Sequence, residues 1–94
     1  MSEQKPTNNL VIYSAQWCSD CQALKKWMDL NQIVYEIRDI MLVSENRETL
    51  KAQIGKEAVP YILYQGEWIR GYQVGATFDE KWAHKLFSNL GILN

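Results

Sequence analysis

The sequence predicts an α/β fold in which helices cover both faces of a four-stranded mixed sheet. Segments with strand and helix patterns follow one another in the order β-α-β-α-β-β-α. A β-α-β start joins two parallel strands by a right-handed crossover, and the later β-β pair is a hairpin that adds antiparallel strands. The length of 94 residues is that of one domain. We expect a flexible tail over residues 1–8 and a single domain over residues 9–94.

The composition excludes several classes of protein. The chain is 47% hydrophobic and has four Trp, which is not typical of disorder. Its ten basic residues are offset by eleven acidic ones, so an electrostatic grip on nucleic acid is not expected. The apolar runs are far shorter than the roughly 20 residues of a membrane-spanning helix. Residues 1–9 lack the apolar stretch of a secretory signal, and we expect a cytoplasmic protein.

The first strand and the first helix meet at a pair of cysteines. Residues 9–13 are β-branched and aromatic, which predicts a buried strand. After a short polar turn, apolar side chains recur with helical spacing: Cys21, Leu24, Trp27 and Met28. Cys18 is then expected to lie exposed in the first turn of this helix. Free backbone N–H groups and the helix dipole stabilise a thiolate there, whereas Cys21 lies one turn further in.

Strands and helices continue regularly through the middle of the chain. Residues 33–40 alternate apolar and polar side chains, which predicts the second strand. Ser44 is the predicted N-cap of a helix over residues 45–54, and Gly55 is its stop.

A hairpin and a third helix complete the domain. Residues 61–64 and 67–70 are the predicted strands of the hairpin, and a Gln-Gly pair forms its turn. Thr77 and Glu80 have the spacing of a capping box, which predicts the start of the last helix. Its apolar stripe consists of Trp82, Ala83, Leu86, Phe87 and Leu90, and Gly91 ends it.

Cys18 and Cys21 are the only cysteines, and their spacing indicates redox chemistry. A disulfide between them closes a very short loop and adds little stability. A structural zinc site needs four ligands, and the single histidine, His84, brings the set only to three. A site shared between two chains stays open. The simplest interpretation is a pair that cycles between dithiol and disulfide, with no metal bound.

Three motifs in the same order resemble the glutaredoxins of the thioredoxin-fold superfamily, over about residues 9–91. Residues 13–21, with Cys-Ser-Asp-Cys, are similar to glutaredoxin-like proteins that have a Trp-Cys-Pro-Asp-Cys site. Val59 and Pro60 match the Val-Pro of the family's Thr-Val-Pro motif, and residues 74–79 stand in the place of its Gly-Gly-x-x-Asp loop. Sequence alone leaves Pro60 cis or trans, and the resemblance implies a cis proline that faces the disulfide.

The resemblance implies an enzyme, a thiol–disulfide oxidoreductase. Cys18 would be the nucleophile that attacks a protein disulfide or a glutathionylated protein, and Cys21 would resolve the mixed disulfide. Glutathione is the expected reductant, no bound cofactor is required, and we expect a monomer. Two alternatives stay open. One is an electron donor regenerated by a thioredoxin reductase, as for ribonucleotide reductase, and the other is a dimer that carries a [2Fe–2S] cluster with glutathione.

The resemblance also implies contacts with glutathione. Val59 would pair with its main chain, and Arg47 would meet its glycyl carboxylate. The γ-glutamyl end would meet the loop and helix start formed by Gly75, Thr77, Phe78 and Asp79. Trp17 is expected to form one wall of the partner groove. The chain has Ala15 and Glu57 where the family often has basic residues, which is expected to weaken binding of the anionic tripeptide.

Asp20 stands between the two thiols. Its carboxylate opposes thiolate formation and so is expected to tune the acidity of Cys18. The alternative is that Asp20 only favours the first helical turn and points to water.

Replacing Asp20 by Asn is therefore expected to increase the thiolate fraction of Cys18 at a given pH, because a nearby negative charge is removed. The thiolate absorbance, followed in a pH titration, measures this fraction. An unchanged titration curve would contradict the tuning role.

Overall fold

The expected order of elements is confirmed in a computed structural model, which describes residues 9–93. The strands and helices are β1 (Leu10–Ser14), α1 (Ser19–Leu30), β2 (Glu36–Asp39), α2 (Ser44–Ile54), β3 (Tyr61–Tyr64), β4 (Glu67–Arg70) and α3 (Glu80–Asn89). The predicted flexible tail over residues 1–8 lies outside the described residues.

The sheet is four-stranded and mixed, in the order β2-β1-β3-β4. β1 runs parallel to β2 and antiparallel to β3, and Ile12 is the partner of Ile37 on one side and of Ile62 on the other. β3 and β4 form the predicted hairpin. All five residues of β1 are buried, because the strand lies in the centre of the sheet and is covered on both faces.

Alternate residues of β1 serve two separate cores. Leu10 and Ile12 face a cluster formed with α1 and α3, which includes Leu24 and Phe87. Val11 and Tyr13 face a second cluster with Leu50 of α2, and this cluster also contains both cysteines. Since successive side chains of a strand point to opposite faces, α2 lies on the face opposite to α1 and α3. The three-layer architecture expected from the sequence is confirmed.

Four loops meet at one edge of the sheet. The register pairs Ser14 with Asp39, Tyr13 with Tyr61, and Tyr61 with Arg70. The segments 15–18, 40–43, 55–60 and 71–79 therefore open at the same edge. Among residues 9–93, no helix is both long and apolar enough to cross a membrane.

The second strand is shorter than predicted. The alternation over residues 33–40 predicts eight strand residues, but β2 covers only Glu36–Asp39. Ile33 is buried, and its backbone N–H donates to the carbonyl of Met28 at 2.9 Å, so it closes the C-terminal end of α1. Its apolar character reflects packing against that helix and not pairing in the sheet.

Two predicted helix caps are wrong. Ser44 is already inside α2, whose N-cap is Val43 with no side-chain hydrogen bond. The carboxylate of Asp39 accepts instead from the N–H groups of Met41 and Leu42 at 2.7 and 2.9 Å, which organises the turn before the helix. The N-cap of α3 is Asp79, not Thr77 of the predicted capping box.

Asp79 accepts a hydrogen bond from the backbone N–H of Lys81 at 3.0 Å. The carbonyl of Thr77 accepts from the side-chain amide of Gln73 at 2.9 Å, so Thr77 belongs to the preceding loop. A carboxylate two residues before the donating N–H caps a helix as well as the hydroxyl of a capping box does. Asp79 is also closer to the first residue of α3 than Thr77 is.

Replacing Phe87 by Leu is expected to lower the free energy of unfolding by about 1–2 kcal/mol. Phe87 is fully buried, and its ring meets Trp27 edge-on with centroids 5.2 Å apart, a contact that Leu cannot make. Urea unfolding followed by Trp fluorescence measures the loss. Leu30→Ala is the control: Leu30 is also helical but 71% exposed, and it should change stability by less than about 0.5 kcal/mol. Equal losses in the two variants would contradict this account of the core.

Candidate active site

The two cysteines lie at the start of α1. Cys18 is the N-cap of the helix, and its sulfur accepts a hydrogen bond from the backbone N–H of Cys21 at 3.1 Å. One of the free donors at a helix N-terminus is thus used on sulfur. The predicted place of Cys18, where the loop becomes the first turn, is confirmed. The helix start is arranged to stabilise negative charge on this sulfur.

Both thiols are more enclosed than the sequence suggests. Cys18 is 7% exposed and Cys21 is fully buried, so the expectation of an exposed Cys18 is wrong. The loop after β1 turns inward at Ala15, which is itself fully buried, and Val59 packs against the same cluster. Only a small part of Cys18 is therefore accessible to another molecule.

Burial and the hydrogen bond with Cys18 raise the pKa of Cys21 to about 12. Burial is the larger cause, since the interior disfavours the thiolate, and a neighbouring sulfur adds to it. Cys21 is consequently a neutral thiol at neutral pH. The two cysteines differ in accessibility and in their hydrogen bonds, since the sulfur of Cys18 accepts a helix N–H and Cys21 is fully buried.

The segment before β3 lies directly against the cysteines. The Val59–Pro60 peptide bond is cis, which confirms the geometry expected for Pro60. The carbonyl oxygen of Val59 lies 3.7 Å from the sulfur of Cys18. Pro60 is buried, and its carbonyl accepts from the N–H of Gly71 at 3.0 Å. A Cβ at position 71 would come within 2.9 Å of that carbonyl oxygen, so the absence of a side chain lets the two loops meet.

Asp20 is half-buried and contacts a distant loop. One of its carboxylate oxygens accepts a hydrogen bond from the backbone N–H of Phe78 at 3.3 Å. Phe78 also packs against Trp27 of α1, with ring centroids 6.4 Å apart. The alternative of a purely local role for Asp20 is therefore wrong, while its tuning of Cys18 stays a prediction.

The other predicted binding residues lie in three different segments of the structure. Gly75 (φ +80°), Thr77 and Asp79 belong to the loop before α3, which borders an open cavity of about 750 Å³ lined by residues 73 and 76–81. Trp17 is 66% exposed beside Cys18 and leaves its ring available to a partner. Arg47 is exposed in α2 and takes part in no ion pair within residues 9–93. Their contacts with glutathione stay predictions.

Sequence reasoning missed several features of the site. Two contacts join different segments of the chain: Asp20 with Phe78, and Pro60 with Gly71. No local sequence pattern predicts either of them. Met41, Leu42 and Val43 are an exposed apolar run in one of the four loops at this edge. Their signal was present in the sequence as three successive apolar residues in a predicted loop.

Comparisons with known proteins agree with this geometry. The sequence model described as Glutaredoxin matches residues 10–69. A comparison with curated proteins gives no match.

Solved structures with the same fold include several glutaredoxins, all under 25% identical to this chain. Glutaredoxin from Archaeoglobus fulgidus is 15% identical over 89% of this chain and 87% of its own, with a TM-score of 0.62. The buckwheat glutaredoxin–glutathione complex is 22% identical over 94% of this chain and 74% of its own, with a TM-score of 0.62. Reduced glutaredoxin C1 from Populus tremula x tremuloides is 17% identical over the same shares, with a TM-score of 0.66.

Iodoacetamide at neutral pH is expected to label Cys18 roughly 100-fold faster than Cys21 or more. Only a thiolate reacts with this reagent, and Cys21 is neutral and buried. Peptide mass spectrometry of the folded protein measures both rates. The Cys18→Ser variant gives the rate of Cys21 without a neighbouring adduct. In concentrated urea the two cysteines should react alike. Equal rates in the folded protein would show that the two thiols are not differentiated.

Proposed function

Because the chain belongs to the glutaredoxin family, we propose that it is a dithiol–disulfide oxidoreductase that reduces protein disulfides or mixed disulfides of glutathione. The observation that carries the proposal is the arrangement of the cysteine pair. Cys18 caps α1 and accepts the N–H of Cys21, while the thiol of Cys21 lies buried one turn further in. This arrangement gives one sulfur that can capture a substrate and a second that can release it.

In the first step the Cys18 thiolate attacks one sulfur of the substrate disulfide. A new S–S bond forms to Cys18, the substrate S–S bond breaks, and the departing thiolate takes a proton from solvent. The N–H of Cys21 and the start of the helix stabilise the attacking thiolate. The carbonyl oxygen of Val59 lies 3.7 Å from the sulfur of Cys18, so a substrate bonded to this sulfur would lie beside it.

In the second step Cys21 loses its proton and attacks the sulfur of Cys18. The Cys18–Cys21 bond forms and the bond between Cys18 and the substrate sulfur breaks. The second substrate sulfur leaves as a thiolate and takes a proton from solvent, so two electrons have passed from the protein to the substrate. Part of the rise in the pKa of Cys21 comes from Cys18 itself. Once Cys18 is bonded to the substrate it carries no charge, so this part is removed and Cys21 gives up its proton more readily.

Glutathione is the proposed reductant that restores the dithiol. The resemblance of the motifs supports this, and so does the likeness of the fold to the buckwheat glutaredoxin–glutathione complex. The cavity beside the loop before α3 offers space for a small peptide, and Phe78 of its lining is hydrogen-bonded to Asp20 in the turn that carries the cysteines. We also propose the cytoplasm as the setting, since a reducing compartment maintains the dithiol form.

The residues do not fit a resident iron–sulfur cluster held by this chain alone. Such a cluster is held by four thiolates, and the chain has two cysteines. Cys21 is fully buried, with a pKa raised to about 12, and is poorly suited to bind a metal as a thiolate. Between residues 9 and 93, no group of three or more His, Cys, Asp or Glu is placed to hold a metal ion. No step of the proposed reaction passes through a cluster.

The Cys18→Ser variant is expected to lose reduction of a peptide disulfide down to the uncatalysed background, because the attacking sulfur is gone. The Cys21→Ser variant should capture the substrate without releasing it, and intact-protein mass spectrometry should find the mixed disulfide on Cys18. Ser19→Ala is the control, since Ser19 is exposed between the two cysteines and should leave the rate unchanged.

The source of electrons is determined by two coupled assays on the unmodified protein. In one, glutathione and glutathione reductase regenerate the dithiol, and in the other a thioredoxin reductase does so. We expect turnover in the first assay. Turnover only in the second would identify the alternative electron donor, and full activity of Cys18→Ser in either assay would overturn the proposed chemistry.

A further inference from the structure

The contact between Asp20 and Phe78 places a carboxylate of the protein where α3 begins. Asp20 lies in the same helical turn as Cys18, and its partner Phe78 is 58 residues away in the chain. Phe78 is the residue directly before Asp79, the N-cap of α3. The bond therefore fixes the loop before α3 against the turn that carries the nucleophile, and a substrate attached to Cys18 must lie close to this junction.

Two backbone donors at this helix start are already occupied by carboxylates of the protein. The N–H of Phe78 donates to Asp20, and the N–H of Lys81 donates to Asp79. Free N–H groups at a helix start normally attract anions. Here the N–H of Phe78, just before the helix, and the N–H of Lys81, in its first turn, already have carboxylate partners, so neither is free to receive a carboxylate of the substrate.

The charge at this junction is also unfavourable to an anion. Asp79, Glu80 and Lys81 line the cavity at the start of α3, and the carboxylate of Asp20 reaches the same junction through the N–H of Phe78. Within residues 9–93 the one ion pair is between Arg38 and Glu36, so these carboxylates are not neutralised by ion pairs in that part of the chain. Like charges near a binding site lower the affinity for an anionic ligand.

We propose that Asp20 is a specificity-determining residue, which makes disulfides that carry glutathione slower substrates than neutral or cationic protein disulfides, while free glutathione still reduces the oxidised pair. Glutathione carries more carboxylates than ammonium groups, so its attachment to a substrate adds negative charge beside Cys18. This inference rests on the proposed function and specifies the substrate class of the same site. The exposed side chains at the same edge, Trp17 and the run 41–43, are apolar, as a surface for neutral protein segments requires.

The test compares two substrates that share one peptide and differ only in the captured thiol. In one, the cysteine of the peptide is linked to glutathione, and in the other to N-acetylcysteine amide, which is neutral. Dithiothreitol keeps the protein reduced, so the measured rates do not depend on the physiological reductant. The ratio of kcat/KM for the neutral substrate to that for the glutathionylated one is the quantity measured. A change in the thiolate fraction of Cys18 acts on both substrates and cancels in this ratio.

Asp20→Asn is expected to shift the ratio roughly three- to tenfold toward the glutathionylated substrate, because the amide keeps an acceptor for Phe78 but loses the charge. Asp20→Ala should shift it in the same direction. Glu67→Gln is the control, since it removes the same charge next to the hairpin turn. This turn lies at the strand ends opposite to those where the four loops meet. Amide hydrogen exchange by NMR should find Phe78 protected in the unmodified protein, protected in part in Asp20→Asn, and unprotected in Asp20→Ala.

The outcomes distinguish a failure of the specificity role of Asp20 from a failure of the proposed function. An unchanged kcat/KM ratio in both Asp20 variants overturns the specificity role. Reduction of both substrates by the unmodified protein would still support the proposed function in that case. A shift of equal size in Glu67→Gln also overturns it, because the effect would then be general to the charge of the protein. If the unmodified protein reduces neither substrate, the proposed function itself fails.

Discussion

The hydrogen bond from the backbone N–H of Cys21 to the sulfur of Cys18 joins the fold to the chemistry. It exists because the chain leaves β1, turns at Ala15 and begins α1 at Cys18, so that a helix start points at a sulfur atom. A thiolate requires stabilisation by donors or positive potential, and the first turn of a helix supplies both. The other parts of the site are placed relative to this turn.

Two loops close on the turn from either side. The segment before β3 brings the carbonyl of Val59 to 3.7 Å from the nucleophilic sulfur, and Gly71 holds the next carbonyl by its N–H. On the other side Asp20 holds the backbone of Phe78. The thiols are therefore enclosed by backbone from three segments that are distant in the chain. Enclosure raises the pKa of Cys21, and in the proposed mechanism this neutral thiol reacts only after Cys18.

The same enclosure relates reactivity to specificity. Cys18 is only 7% exposed, so a substrate would have to fit the surrounding loops, and the charges and apolar side chains of those loops are the features that would select it. Asp20 is central because it acts on both sides. Its carboxylate belongs to the helix of the nucleophile and at the same time defines the surface at the start of α3. The predicted tuning of Cys18 and the proposed selection of substrates therefore both depend on this one residue.

The sequence by itself determined the order of elements, the sheet with helices on both faces and the place of Cys18 at the start of α1, because these depend on local periodicity and on the spacing of two cysteines. It placed the caps of α2 and α3 wrongly, since Val43 and Asp79 take positions that hydrogen bonds in the adjoining loops select. Only the tertiary structure decided that Cys18 is enclosed, that Asp20 reaches Phe78 and that Pro60 meets Gly71. Those contacts join residues up to 58 positions apart, and their existence depends on how the packed sheet brings four loops to one edge.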